Sequence, residues 1–271
     1  VRIIELWTFP VKSLGGQSRD EVVVEPWGLA GDRRWAMVDA AGEPVTAREL
    51  PALLGLRAEQ LDEDTLRIRD RDGGSVLVDT PLGIGPVPVG HSRQGVANPA
   101  DEDVSRWISE RVGRSLRLVW QEDPRVRRVS GAHGGQEGDV LSLADAGPLL
   151  LTSHASLTRL QGWVDEGDQP QPLDMLRFRP NVVIDGEQPF AEDGWGTVRL
   201  GEVTFRTAEV CDRCVLTTYD PQTLARGAEP IATLARHRRW DGKTWFGTRL
   251  VPQDEGVLRV GDPVVAGDVR P

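Results

Sequence analysis

Ala208-Glu-Val-Cys-Asp-Arg-Cys-Val-Leu-Thr-Thr-Tyr-Asp-Pro221 carries both cysteines of a 271-residue chain, Cys211 and Cys214. Before the pair, Val203-Thr-Phe-Arg-Thr-Ala208 alternates apolar and polar residues, the period of a half-buried strand. After it, Val215-Leu-Thr-Thr-Tyr219 is β-branched and aromatic and stops at the turn pair Asp220-Pro221. The reading is strand, cysteine pair, strand. A redox Cys-x-x-Cys of the thioredoxin type instead opens a helix, whose dipole lowers the thiol pKa. Here Arg213, next to Cys214, can supply that lowering. A thiolate on a rigid β-element beside a guanidinium suits a soft-metal ligand or a nucleophile. Plain packing also accounts for a buried cysteine, and the spacing does not choose among the three.

Outward from this stretch, most of the chain reads as short strands and turns. Residues 2–9 alternate as a strand and run into Pro10-Val-Lys-Ser-Leu-Gly-Gly16, whose lysine, hydroxyl and glycines suit an anion. Val22-Val-Val-Glu-Pro26 is a strand, and the turn Gly28-Leu-Ala-Gly-Asp32 leads into Arg33-Arg-Trp-Ala-Met-Val-Asp39. Ala40-Ala-Gly-Glu43 makes a hairpin turn before a returning strand, Pro44–Arg48, and 50–56 suits a short helix. Residues 56–61, Thr65–Arg69 and Ser75–Asp79 form a meander, with a hairpin at Asp72-Gly73. The clearest helix is 101–112: Val104, Trp107, Ile108 and Val112 form one apolar stripe, and the acids at its start complement the helix dipole. A strand resumes over 116–120. The polar, glycine-rich stretch 124–138 has the length of a lid or a mobile loop. Ser153 or Ser156 caps a helix over 157–166, Val182-Val-Ile-Asp185 is a buried strand, and 225–240 reads as an arginine-rich helix. The fold class is mainly β with some α, in two barrel-like parts. A shift in composition near Val89–Asn98 sets the expected boundary, giving units 1–95 and 96–271.

The totals narrow the function. Hydrophobic residues at 39% and nine tryptophans describe a folded protein, and a net charge of −10 argues against a general nucleic-acid binder. No apolar run reaches the ~18 residues of a membrane span, and Val1-Arg-Ile-Ile-Glu-Leu-Trp7 does not read as a signal peptide. A cytoplasmic chain with no membrane partner is expected. Two cysteines are too few for a disulfide scaffold. His91, His133, His154 and His237 include no i, i+4 pair, so a zinc site with Cys211 and Cys214 lacks a matching second ligand pair. There is no Gly-x-Ser-x-Gly elbow, no Gly-x-Gly-x-x-Gly after a strand and no Walker-type loop. Of 32 basic residues only two are lysine, Lys12 and Lys243. What stands out is a set of cation-bearing loops: Lys12-Ser13, Asp32-Arg33-Arg34, Thr46-Ala-Arg48, Arg177-Phe-Arg179 with Asn181, and Arg213. They lie at loop or strand ends, which a β-barrel gathers around one mouth. One thiolate amid that charge suits a phosphate-bearing cofactor with a soft-ligated metal.

Taken together, several segments resemble the MOSC-domain family (molybdenum cofactor sulfurase C-terminal) with its N-terminal β-barrel partner. The group in question holds the mitochondrial amidoxime-reducing component and its bacterial relatives. The segments are Phe9-Pro-Val-Lys-Ser13, Asp32-Arg-Arg-Trp35, Val45-Thr-Ala-Arg48, Ser153-His-Ala-Ser-Leu157, Phe178-Arg-Pro-Asn181, Ala191-Glu-Asp-Gly-Trp195, Cys211–Pro221 and Val260-Gly-Asp-Pro263. They occur in the family's order over nearly the whole chain. The resemblance implies a MOSC β-barrel plus a MOSC N-terminal β-rich domain. It implies a molybdenum cofactor (molybdopterin) whose metal takes one protein ligand, Cys214, with Cys211 behind it. Lys12, Ser13 and Arg33 would hold the phosphate end, and Arg179, Asn181 and Arg213 would contact the pterin or frame the metal. Arg48 and Ser153 join the same cofactor-binding set, and Asp212 is the acid nearest in sequence for catalysis. The implied activity is reduction of N-hydroxylated compounds (amidoximes, hydroxylamines, N-hydroxylated base analogues) by oxygen-atom transfer to the metal. Electrons would come from a separate electron-transfer protein, because the chain lacks the four cysteines of a 2Fe–2S cluster. Two alternatives stand beside it: a sulfur carrier with a persulfide on Cys214, and a module that binds the cofactor without turnover. The chain departs from the family in two places. Thr248-Arg249-Leu250 follows Phe246-Gly247 where a tyrosine is frequent, and Ala146-Gly147 replaces a polar or hydroxylated pair.

Overall fold

A computed structural model describes residues 1–91 and 93–269. The alternating segments become sheet, and among the described residues three α-helices accompany the strands, the mainly β, α+β arrangement expected. No helix among them is long and apolar enough to cross a membrane. The largest sheet has nine strands. Its spatial order is Gln17–Arg19, Ile3–Thr8, Val182–Ile184, Leu149–Ser153, Lys243–Pro252, Val203–Asp212, Thr197–Leu200 and Val264–Ala266, with Arg239–Trp240 paired on Lys243–Pro252. Leu149–Ser153 and Val182–Ile184 are parallel, and the helix His154–Asp165 lies on the crossover between them. Leu6, Leu151, Ile184, Phe205 and Leu250 pack into one core beneath this sheet. Fully burying such a side chain is worth about 1.5–3 kcal/mol.

A second core forms around the first hundred residues. Trp35–Val38 pairs with Arg117–Trp120 and Pro44–Val45, and the meander Arg57–Gln60, Thr65–Arg69, Ser75–Asp79 lies beside it. The helix Glu102–Val112 lays Val104, Ile108 and Val112 on this core, together with Leu53, Ile68 and Leu118. Residues 96–120, placed with the second unit on composition, thus pack with the first. The two units are also knitted by strands: Ile3–Thr8 belongs to the nine-stranded sheet, and Gly256–Arg259 pairs with Glu21–Glu25.

Three local expectations are corrected. The segment after the cysteines is a 3-10 helix, Val215–Thr218, not a strand. Thr217 and Thr218 hydroxyls donate back to the carbonyls of Cys214 (3.0 Å) and Val215 (2.7 Å), a local bond that competes with sheet pairing. The helix expected over 225–240 forms only at Ile231–His237. Pro230 delays its start, and Asp241-Gly242, at φ of 51° and 73°, closes a hairpin that draws Arg239–Trp240 into a strand. The strand at Pro44–Val45 ends early because Thr46 turns, its carbonyl accepting from Glu49 and Leu50 N–H groups at 3.0 and 2.9 Å.

Candidate functional site

Strand ends meet around a cavity of about 440 Å³. Lys12 and Ser13 come from the loop after Ile3–Thr8, Arg33 from the turn before Trp35–Val38, and Thr46 and Arg48 from the turn after Pro44–Val45. Asp145 precedes Leu149–Ser153, Arg177, Arg179 and Asn181 precede Val182–Ile184, and Cys211 to Cys214 end Val203–Asp212. Of the residues assigned to the cofactor, the metal or catalysis from the sequence, all line this cavity except Ser153; Arg34, from the cation-bearing set, turns away and donates to the Gln121 and Glu122 carbonyls. That serine is 1% exposed at the N-terminus of His154–Asp165, where its hydroxyl accepts from the Ser156 N–H at 3.4 Å. It caps a helix and does not face the cavity.

The backbone is held in unusual shapes here. Ser13, Arg33 and Arg179 have φ of 75°, 50° and 55°, the left-handed region that costs a residue with a Cβ roughly 1 kcal/mol or more. Glycine would relieve each position, yet each carries a donor side chain into the cavity. Asp32 anchors one of these turns: it is 1% exposed, accepts from the Phe9 N–H at 2.7 Å and pairs with Arg33. Arg33 also donates to Asn181 Oδ1 and to the Arg179 carbonyl, both at 3.1 Å. Arg33 and Arg179 both lie over the Phe9 ring, at 4.8 and 4.3 Å from its centroid. Arg213 lies over Phe178 and donates to the Phe178 carbonyl at 2.6 Å and to Cys211 Sγ at 2.8 Å.

Charges are arranged unevenly. Asp145 accepts from Lys12 at 2.7 Å and pairs with Arg48. Burial alone would raise its carboxyl, but Lys12 and Arg48 outweigh that and hold it well below the usual range. Burial lowers the Lys12 ammonium, with Asp145 pulling the other way. Burial, with Arg33 nearby, brings Arg179 down to about 9. On the opposite wall Arg249 donates to Asp212 at 2.7 Å and pairs with Glu209. Burial opposes the Arg249 charge, but Cys211, Glu209 and Asp212 outweigh it and hold the guanidinium above its ordinary value. Asp212 is held below the usual carboxylate range: burial raises it, and the Arg249 hydrogen bond and charge overcome that. Cys214 is exposed, within hydrogen-bonding reach of Arg48, while Cys211 is buried.

Donor atoms remain without partners at this cavity. Arg177 Nε, Arg179 Nη2 and Arg213 Nε are buried and unsatisfied among the described residues. Unpaired buried donors are costly, so these point to an anionic or carbonyl-rich occupant. No three His, Cys, Asp or Glu side chains among the described residues converge on a metal, and the exposed thiol at the cavity is that of Cys214. Asp145, Arg249, His133 and its partner Glu209 were not singled out in the sequence. Asp145 immediately precedes one of the two places where the chain departs from the family pattern, Arg249 lies within the other, and His133 sits in the glycine-rich loop.

The fold and the cavity define a mainly β protein of two knitted parts, with a cationic, thiol-bearing cleft between them. The chain belongs to the MOSC family: the MOSC N-terminal beta barrel domain matches residues 1–115 and the MOSC domain matches residues 138–265. It is 33% identical over 282 residues to mitochondrial amidoxime-reducing component 1 of Mus musculus, covering 97% of this chain and 81% of the relative. It is 32% identical over 276 residues to the molybdenum cofactor sulfurase of Oryza sativa subsp. japonica, covering 96% of this chain and 33% of that much longer relative. Among solved structures, the YUAD protein from Bacillus subtilis aligns over 97% of this chain and 93% of its own, at 12% identity and a TM-score of 0.44.

Proposed function

We propose that this cavity binds the molybdenum cofactor, with Cys214 as its one protein ligand, and that the protein reduces N-hydroxylated compounds. The observation that carries the reading is the exposed Cys214 thiol facing a cavity whose other walls offer buried, unpartnered guanidinium donors. A cofactor with a phosphate, a polar ring system and a soft metal matches that donor set. The mouse relative's name supports reduction of amidoximes, and the rice relative's name supports the molybdenum cofactor. When bound, the cofactor supplies two-electron chemistry that removes oxygen from an N–O bond. The chain's own residues bind and orient. Lys12 and Arg33 bring charge to the phosphate end, and the Ser13 hydroxyl, which accepts from the Ala47 N–H at 3.0 Å, keeps its proton to donate. Asn181 fixes Arg33 and is itself fixed, accepting from the Leu150 N–H at 3.1 Å and donating to the Trp7 carbonyl at 3.2 Å. Arg213, clamped between Cys211 and the Phe178 carbonyl, frames the Cys214 end. Electrons arrive from a separate redox protein.

The test is metal analysis of protein made in a host competent for the cofactor, beside Cys214→Ala, followed by turnover of an aryl amidoxime with a chemical reductant. Near-stoichiometric molybdenum that is lost in the variant, together with amidine formation, is expected. Molybdenum without turnover of any N-hydroxylated substrate would leave a binding module. One extra sulfur on Cys214 by intact mass, without molybdenum, would replace the reading with a sulfur carrier.

A further inference from the structure

Converting N–OH to N–H consumes two electrons and two protons and releases water. The reductase reading, on which this inference rests, therefore needs a proton donor at the cavity. The two carboxylates that line it are poor candidates. Asp145 is tied up by Lys12 at 2.7 Å and by Arg48, and Asp212 by Arg249 at 2.7 Å. We infer that His133 is the donor and that Glu209 positions it.

His133 ends the 3-10 turn Gly131–His133, and its ring lines the cavity with Cys211, Asp212, Cys214 and Arg249. Its Nδ1 lies 2.8 Å from Glu209 Oε1. That contact commits Nδ1 to the carboxylate and leaves Nε2 to serve the cavity, the division of labour of a carboxylate-oriented imidazole. Glu209 is fixed in turn by Arg249. The loop that carries His133 is fastened to the strand that carries Glu209 and Cys211. Gly134 has φ of 71°, and a Cβ there would lie 2.3 Å from the Ala208 carbonyl oxygen. A Cβ on Gly135 would lie 2.5 Å from the Val129 carbonyl oxygen. Arg206 donates to the Gly134 carbonyl at 3.0 Å and pairs with Asp139, tying the loop down from the same strand. Gly134 is thus the point where the loop presses on the sheet, Gly135 lets the loop fold back on its own Val129, and His133 is delivered to a fixed place.

In the reaction the N–O bond breaks and the oxygen leaves as water. Both electrons would come from the reduced cofactor held at Cys214. As the imidazolium, protonated on both ring nitrogens, His133 gives its Nε2 proton to the substrate nitrogen, forming the N–H bond and leaving the neutral ring protonated on Nδ1 against Glu209, and solvent supplies the second proton to the oxygen. The ring is 32% exposed, so solvent can reprotonate it.

The test compares the molybdenum-loaded wild type with His133→Ala, His133→Gln and Glu209→Ala, using benzamidoxime and a chemical reductant. A general acid is worth ~100-fold or more in rate. His133→Ala should lose at least that in kcat, with KM and molybdenum content near wild type, and added imidazoles should restore turnover in the order of their acidity. His133→Gln should lose as much. Glu209→Ala should lose about tenfold. In cofactor-free protein, ¹⁵N NMR of the neutral ring should show His133 protonated on Nδ1 in the wild type and a mixture of tautomers in Glu209→Ala. Wild-type turnover with unimpaired His133→Ala, or a loss that no imidazole restores, overturns the assignment alone. No turnover by fully loaded wild type overturns the reductase reading, and this assignment falls with it.

Discussion

Glu192 is 1% exposed, and its carboxylate accepts from the Ser156 hydroxyl at 2.6 Å. Burial pushes it up from the usual 4.5 to about 7 in spite of that hydrogen bond. The folded protein therefore holds this proton more tightly than the unfolded chain does. The resulting stabilisation is complete below about pH 4.5, fades as the pH rises, and is gone above about pH 7. At roughly 1.4 kcal/mol per pH unit of separation it amounts to about 3 kcal/mol. Glu192→Gln should remove the slope. Urea unfolding at about pH 5 and about pH 8 should show the wild type losing roughly 3 kcal/mol relative to the variant, and parallel behaviour of the two would refute the burial argument. The same scale shows what single residues disclose in a sequence. Cys214 and Lys12 were legible because one sits in a spaced pair and the other is rare. Ser153 was misplaced because a serine before a helix serves equally well as a cap, and the cap won. Asp145 was illegible, since an acid marks a cationic site only once the fold brings Lys12 and Arg48 to it from far back in the chain.

Elements were legible where their signals are local. The helix Glu102–Val112 follows its apolar stripe, and Asp101 caps it by accepting from the Asp103 N–H at 2.7 Å. Asp101→Ala should cost about 1 kcal/mol, read as a fall of a few degrees in Tm. Competing local signals misled elsewhere: the hydroxyls of Thr217 and Thr218 curl the segment after Cys214, and the Asp241-Gly242 turn takes the end of the expected arginine-rich helix. The loop bearing His133 shows only glycine and polarity in the sequence, since what holds it is the Ala208 carbonyl on a strand reached later in the chain. Gly134→Ala must place a methyl group against that carbonyl, in a backbone region that disfavours a Cβ. The loop should lift. Limited proteolysis should then cut near 131–138 while global stability falls by only about 1–2 kcal/mol, and amidoxime turnover should fall by more than that stability loss explains. A protected loop would show that the contact can be relieved by a small backbone shift.

At the scale of the whole molecule, the cavity exists only because the two halves are interleaved. Lys12, Ser13, Arg33 and Arg48 come from the part matched by the N-terminal barrel, whereas Asp145, Arg179, Cys214 and Arg249 come from the other. Pairing of Gly256–Arg259 with Glu21–Glu25 spans most of the chain and has no local trace, so the boundary near residue 95 was read from composition alone. The charge balance is also local: seven Lys and Arg side chains line the cavity against two carboxylates, in a chain of net charge −10. Such a cleft focuses an attractive potential for anions within an acidic surface. Inorganic pyrophosphate should therefore bind the cofactor-free protein and, by bridging both halves, stabilise them together. At a hundredfold excess over Kd the gain is about 2.7 kcal/mol, and at about 2–4 °C per kcal/mol for a chain of this size it corresponds to roughly 5–10 °C in Tm. Tryptophan fluorescence and far-ultraviolet circular dichroism should move together in one transition. The shift should shrink with added salt, since it is electrostatic, and should nearly vanish in a Lys12→Ala, Arg33→Ala double variant. Two separate transitions, only one of them raised by pyrophosphate, would mean that the halves fold independently and that the cavity belongs to one of them.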